Sequence, residues 1–106
     1  MDVSTHLPLA PRDLLILAVL AEGPLHGYGI IKAVEARSSS GVFLDPANLY
    51  RVLRRMRALR WIEEDEDGEE RRRTHRITAS GRAVLAAELG RLERLLAQAR
   101  PAVAGH

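Results

Sequence analysis

The sequence predicts an α+β fold, mainly α with a small β-hairpin, its elements in the order helix, helix, short strand, helix, hairpin, helix. Three observations carry that expectation. Behind the helix-start pair Asp45-Pro46, apolar residues recur with a helical period at Leu49, Val52, Leu53, Met56 and Leu59. An acidic segment containing Asp67-Gly68, the strongest two-residue hairpin signal in the chain, is followed by a basic one. Near the C-terminus, Leu85, Leu89, Leu92, Leu96, Ala99 and Val103 keep the alternating spacing of a coiled-coil seam. A chain of 106 residues suits one domain with a modest core. With one Trp, two Tyr and one Phe, that core must be aliphatic.

Residues 1–10 contain Pro8 and no clear period, which predicts a flexible N-terminal arm. Pro11 opens the first helix, and the chain continues it to Ala21. Leu14 to Leu20 is apolar on every face, so this helix must be covered all round by its own domain or by a second subunit. Leu14 and Leu17 are accordingly assigned to a dimer interface. The run is too short to span a bilayer, and Asp13 adjoins it, so a buried helix in a cytoplasmic protein is expected. Gly23-Pro24 stops it. A second helix runs from about His26, its expected cap, to Arg37, with Leu25, Ile30, Ile31 and Val34 as its apolar stripe. Ser38 to Gly41 is a turn, and Val42-Phe43-Leu44 suits one short strand.

On the third helix, Asp45 to Leu59, the apolar stripe leaves Ala47, Arg51, Arg54 and Ala58 pointing directly away, with Tyr50 and Arg55 flanking them. Small alanines between the arginines let that face approach another surface closely. The formal charge is only +2, a weak argument for a polyanionic partner. Lys32 is the only lysine; arginine suits bidentate phosphate and guanine contacts, but a GC-rich genome produces the same bias. Across the hairpin, Glu63 and Glu64 are expected to face Arg71 and Arg72 and offset their charge. Thr78 caps the last helix. Its leucine seam either covers the first helix of the same chain or packs on a partner subunit. A helix this long ending a small domain favours the partner, so Leu85, Leu89, Leu92, Leu96 and Ala99 complete the expected interface.

The chain has no cysteine, which excludes disulfides and thiolate chemistry. His6, His26, His75 and His106 lack metal-ligand spacing. No nucleophile sits beside a base and no glycine-rich phosphate loop follows a strand, so neither an enzyme nor a cofactor is expected.

Two helices joined by a turn and followed by a hairpin make a winged helix-turn-helix, here over 11–77, with 78–106 as a dimerisation helix and short tail. In such folds the second helix of the pair enters the major groove by its N-terminal part. This places Asn48, Tyr50, Arg51, Arg54 and Arg55 at DNA. Arg51 and Arg54 suit either guanine or phosphate. Tyr50 either donates to phosphate or packs its ring on the hairpin. Tyr28 and Lys32 sit where the motif crosses the backbone, and Arg71, Arg72 and Arg73 are the wing cations.

Four stretches carry a resemblance: "HGYGIIK" at 26–32, "LYRVLRRM" at 49–56, "WIEE" at 61–64 and "HRITASGRAVL" at 75–85. In this order they resemble the PadR-like transcriptional regulators over about Pro11 to Leu96, and the single C-terminal helix looks like the shorter subfamily. The resemblance implies a dimeric winged-helix repressor, and in some relatives a small-molecule effector that releases DNA. Ala47-Asn48 departs from the family's Gly-Thr or Gly-Ser before Leu-Tyr, which implies a different base preference. Arg60 replaces the glycine that closes the third helix, so that turn must be built otherwise. Thr74 and His75 stand at the wing's aromatic positions. Some relatives stack aromatic ligands on a tryptophan at the dimer centre; here the only tryptophan is Trp61, before the wing.

The expected function is thus sequence-specific recognition of a partly palindromic operator by a homodimer. The rival readings are a winged helix that binds another protein and not DNA, and a repressor released by a small molecule. Neutralising the arginine face discriminates the first rival, which would keep its function.

Overall fold

A computed structural model describes residues 3–39, 41–66 and 73–104. Helix α1 is Pro11–Ala21, strand β1 Leu25–His26, α2 Gly27–Arg37, α3 Pro46–Ala58, β2 Ile62–Glu66, β3 Arg73–Ile77 and α4 Ala79–Ala104. Helices α1, α2 and α3 enclose one core with the sheet and the first turns of α4. Ile16, Leu17, Ile30, Val34, Leu49, Leu53 and Met56 are fully buried there, with Trp61 and Val84 nearly so. The core is aliphatic as composition demands, with Trp61 as its one large ring.

The starts and stops follow local chemistry. Pro11 sits in the first turn of α1. The Asp45 carboxylate accepts from the Asn48 backbone N–H at 2.8 Å, capping α3. The Thr78 hydroxyl accepts from the Gly81 N–H at 3.0 Å and donates to the Arg60 carbonyl at 2.7 Å, so one side chain caps α4 and ties it to the end of α3. Gly81 is required there, because a Cβ would stand 2.2 Å from the Trp61 carbonyl oxygen.

Four expectations need correction. Val42-Phe43-Leu44 forms no strand. Leu25–His26 takes that role, pairing Leu25 with His75 and His26 with Thr74, so the sheet order is β1-β3-β2. Residues 42–44 have strand-forming side chains, but the one open edge of β3 is taken by the segment leading into α2. Within 42–44, Leu44 anchors in the core while Phe43 stays 81% exposed.

The hairpin register pairs Ile62 with Ile77, Glu63 with Arg76, Glu64 with His75 and Glu66 with Arg73. A two-residue turn at Asp67-Gly68 would have set Glu66 opposite Glu69. Asp67, Gly68, Arg71 and Arg72 lie outside the described residues. The acids of β2 find other cations: Arg76 reaches Glu63 at 2.9 Å and also Asp65, while Arg73 reaches Glu64 at 3.2 Å and Arg57 reaches it at 3.5 Å.

The turn after α3 keeps the glycine-type geometry without glycine. Arg60 holds φ at 66°, in the left-handed region. The Arg60 N–H donates to the Arg57 carbonyl and the Trp61 N–H to the Met56 carbonyl, both at 2.9 Å. That is the bond pair of a Schellman cap, closed by an arginine.

The described part of the N-terminal arm is docked. Val3–His6 makes a 3-10 turn, Leu7 and Leu9 pack on the core, and the His6 ring meets Trp61 edge-on at 5.3 Å. The Leu9 N–H donates to Glu88 at 2.9 Å. Glu88 is 1% exposed and holds Arg91 through both carboxylate oxygens, Oε2 at 2.8 Å. Arg91 and the Leu9 N–H hold the Glu88 carboxyl below its usual range against the opposing effect of burial.

Candidate nucleic-acid interface

Helix α3 presents Asn48, Tyr50, Arg51 and Arg54 at or near the surface, Asn48 half-buried and the others exposed. Its N-terminal end is wired. The Asn48 amide donates to the Asp45 carboxylate at 3.0 Å, and its oxygen accepts from Arg51. Asp45, Asn48 and Arg51 thus form a line that starts at the cap and ends on the open face. Reading a base with Asn48 or Arg51 requires exchanging those bonds. Arg54 makes no ion pair among the described residues, and is the freest cation of the face.

Arg55 is committed elsewhere. Its guanidinium lies 5.8 Å over the Trp61 ring, with one nitrogen 3.6 Å from the carboxylate of Asp13. Asp13 is 6% exposed and also takes Arg12 at 3.1 Å, so the two arginines balance a buried charge. Arg55 therefore also serves α1–α3 packing. Trp61, 1% exposed beneath His6 and Arg55, offers no ring face to a ligand.

Tyr28 stands 71% exposed on α2, with the Lys32 ammonium 5.7 Å from its ring centre. His26 occupies the N-cap position of α2 by backbone alone; its side chain makes no capping bond. Tyr50 lies beside the hairpin, in a cleft of about 680 Å³ shared with His26, Tyr28, Glu64, Arg73 and His75. Arg73, held by Glu64, is not a spare wing cation.

The seam divides. Leu17 is fully buried in its own chain and Leu85 is 8% exposed, so both are core and neither is open to a partner. Leu14 and Leu92 are half-buried, while Leu89, Leu96 and Ala99 are exposed. Leu95, 49% exposed beside Leu96, was outside the predicted seam because a strict two-in-seven reading skips it. The buried Glu88 also escaped notice. Three residues before Arg91, it reads as an ordinary surface pair.

A helix pair whose second member bears an open arginine face, followed by an antiparallel hairpin that joins β1 in a three-stranded sheet, defines a winged helix-turn-helix. The model of the transcriptional regulator PadR-like family matches residues 16–87. The chain belongs to that family. It is 39% identical over 83 residues to an uncharacterised 37.1 kDa transposon protein of Streptomyces fradiae, covering 78% of this chain but only 23% of that protein's length. A transcriptional regulator from Clostridium thermocellum superposes with a TM-score of 0.73 at 26% identity, covering 79% of this chain and 82% of its own. Bacillus subtilis PadR, solved in complex with operator DNA, shares the fold with a TM-score of 0.67 at 20% identity, covering 77% of this chain and 47% of its own. Among the described residues no helix is long and apolar enough to cross a membrane.

Proposed function

We propose that this chain is a cytoplasmic, homodimeric repressor whose α3 enters the major groove of a partly palindromic operator. The observation that carries the reading is the line of half-buried Asn48 and exposed Arg51 and Arg54 at the front of α3, with Arg51 oriented by Asn48 and Arg54 unpaired among the described residues. Tyr28, Lys32 and Tyr50 are the backbone contacts beside it. Arg55 and Arg73, paired with Asp13 and Glu64, would have to exchange those ion pairs to reach DNA. Dimerisation through α4 is supported by Leu89, Leu95, Leu96 and Val103, which are 46%, 49%, 49% and 80% exposed in a single chain.

Capture of genomic fragments by the purified protein, followed by sequencing, tests the reading and yields the site. On that site Arg54→Ala is expected to cost about 1–3 kcal/mol of binding with unchanged thermal stability, since the residue is exposed. A loss confined to one base position marks base reading; a uniform loss marks a phosphate contact. Unchanged binding by both Arg54→Ala and Arg51→Ala would favour a protein-binding winged helix.

A further inference from the structure

The cleft between α2 and the hairpin contains a group that the arginine face does not explain. His75, in the middle strand, is 1% exposed, and its Nδ1 has no hydrogen-bond partner. A buried polar atom left unpaired is costly and rare. His75 lines the same cleft as Gly27, Tyr28 and Gly29, the first residues of an 11-residue helix. The opening N–H groups of a helix lack intrahelical acceptors, and here the side chain of His26, at the N-cap, does not cap them. They and the helix dipole present positive potential to the cleft. Gly27 lets Tyr50 close in, its hydroxyl 3.0 Å from where a Cβ would sit. Among the described lining residues the one carboxylate is Glu64, already offset by Arg57 and Arg73.

We propose that this cleft is a phosphate site: one phosphate group docks on the N-terminus of α2, accepts from the Tyr50 hydroxyl and from Nδ1–H of His75, and its binding adds a proton to that imidazole. Only the source of the phosphate rests on the DNA-binding reading. A backbone phosphate of duplex DNA and a free phosphate compound share the chemistry.

The direction of the pH effect follows from the surroundings of His75. Burial holds the free imidazole below its ordinary range; Glu64 on β2 pulls the other way, while Arg57 on α3, His26 on β1 and Arg73 on β3 push it further down. The free ring is therefore neutral near pH 7. An oxyanion in hydrogen-bond contact favours the charged ring and raises its pKa. Between the bound and free values, binding takes up one proton. Affinity then rises as pH falls through that window, by at most roughly tenfold per pH unit.

The test combines histidine NMR titration with binding measured from pH 5 to 8 at fixed ionic strength. Its probes are inorganic phosphate and a random-sequence DNA duplex. Phosphate is expected to raise the His75 titration midpoint, and duplex affinity is expected to depend more steeply on pH in the wild type than in His75→Phe, which keeps a ring without a titrating nitrogen. Tyr50→Phe, on a half-exposed side chain, gives a weaker response without threatening the fold. A phosphate response with a duplex pH profile like that of His75→Phe assigns the site to a free phosphate compound. A duplex effect alone assigns it to the DNA backbone. If phosphate leaves the His75 midpoint unchanged and duplex binding has the same pH profile in wild type and variants, the site does not exist. A phosphate response with no duplex binding leaves the site standing and removes the DNA-binding reading.

Discussion

Arg60 carries a backbone conformation that L-residues avoid, because a side chain in the left-handed region crowds the following carbonyl. Its φ of 66° closes α3 and directs Trp61 into the core. The conformation is held by the two capping bonds and by Thr78, which donates to its carbonyl. Arg60→Gly removes the crowding while keeping every backbone bond, and is expected to stabilise the fold by about 0.5–1 kcal/mol. Chemical denaturation checks this: a lower midpoint would mean that the Arg60 side chain itself contributes to the fold. Asp13 makes a related point. It is a buried carboxylate in the first turn of a helix that is apolar from Leu14 on, and Arg12 and Arg55 meet it. Removing either arginine leaves its charge less balanced than before.

At the scale of elements, α4 has two halves with different tasks. Its first turns belong to the core through Val84 and Leu85, and Gly81 brings it against the Trp61 carbonyl. Glu88 then reaches back to the N-terminal segment through the Leu9 N–H, while His6 rests on Trp61. The segment before α1 thus bridges the long helix and the residue that links α3 to the hairpin. Glu88→Ala deprives the Leu9 N–H and Arg91 of their acceptor, at an expected cost of about 1–3 kcal/mol. Glu88→Gln restores an acceptor and recovers part of it. Melting curves give the cost, and a shift in Trp61 emission in Glu88→Ala shows whether His6 leaves with the segment. An unshifted spectrum would confine the role of Glu88 to α4.

At the scale of the molecule, the exposed large aliphatic residues among the described ones lie beyond Glu88 on α4, and in the proposed dimer a second copy would offer the same stripe in return. Leu96→Glu is the clean probe of that interface. Leu96 is 49% exposed, so a glutamate there is solvated in the single chain but buried and unpaired between two. The expected outcome is a monomer by light scattering, with a melting profile that no longer depends on concentration. Operator affinity then falls far more than for Arg54→Ala, because the second half-site contact is no longer linked to the first. A variant that stays dimeric places the interface elsewhere. Binding to DNA should also weaken steeply with salt, since arginines displace condensed counterions. The slope should be shallower than the arginine number suggests. Arg55, Arg57, Arg73 and Arg76 are each paired to a carboxylate in the free chain. A flat dependence between dilute and physiological salt points to a protein partner.

Periodicity and capping are local properties, and they made all four helices legible. Asp45, Pro46 and Thr78 sit where their chemistry dictates, and the arginine face of α3 was visible because an amphipathic helix displays its two sides in the spacing of its residues. The resemblance to the PadR-like regulators rested on the same residues, and Gly81 shows why one of them cannot vary: nothing larger fits against the Trp61 carbonyl. What tertiary structure decided were relations between residues far apart in the chain. Leu25–His26, not Val42–Leu44, completes the sheet, because strand pairing depends on which edge is open and not on which residues favour extension. Arg55 and Arg54 look alike in the sequence, yet only Arg55 meets a buried carboxylate from another helix. Leu17 and Leu85 share the pattern of a dimer seam and lie in the core, while Leu89 and Leu96 do not, because α1 and the sheet cover only the first turns of α4. His75 reads as one more polar wing residue. Only the packing of three strands and two helices around it leaves its ring buried with one nitrogen unanswered.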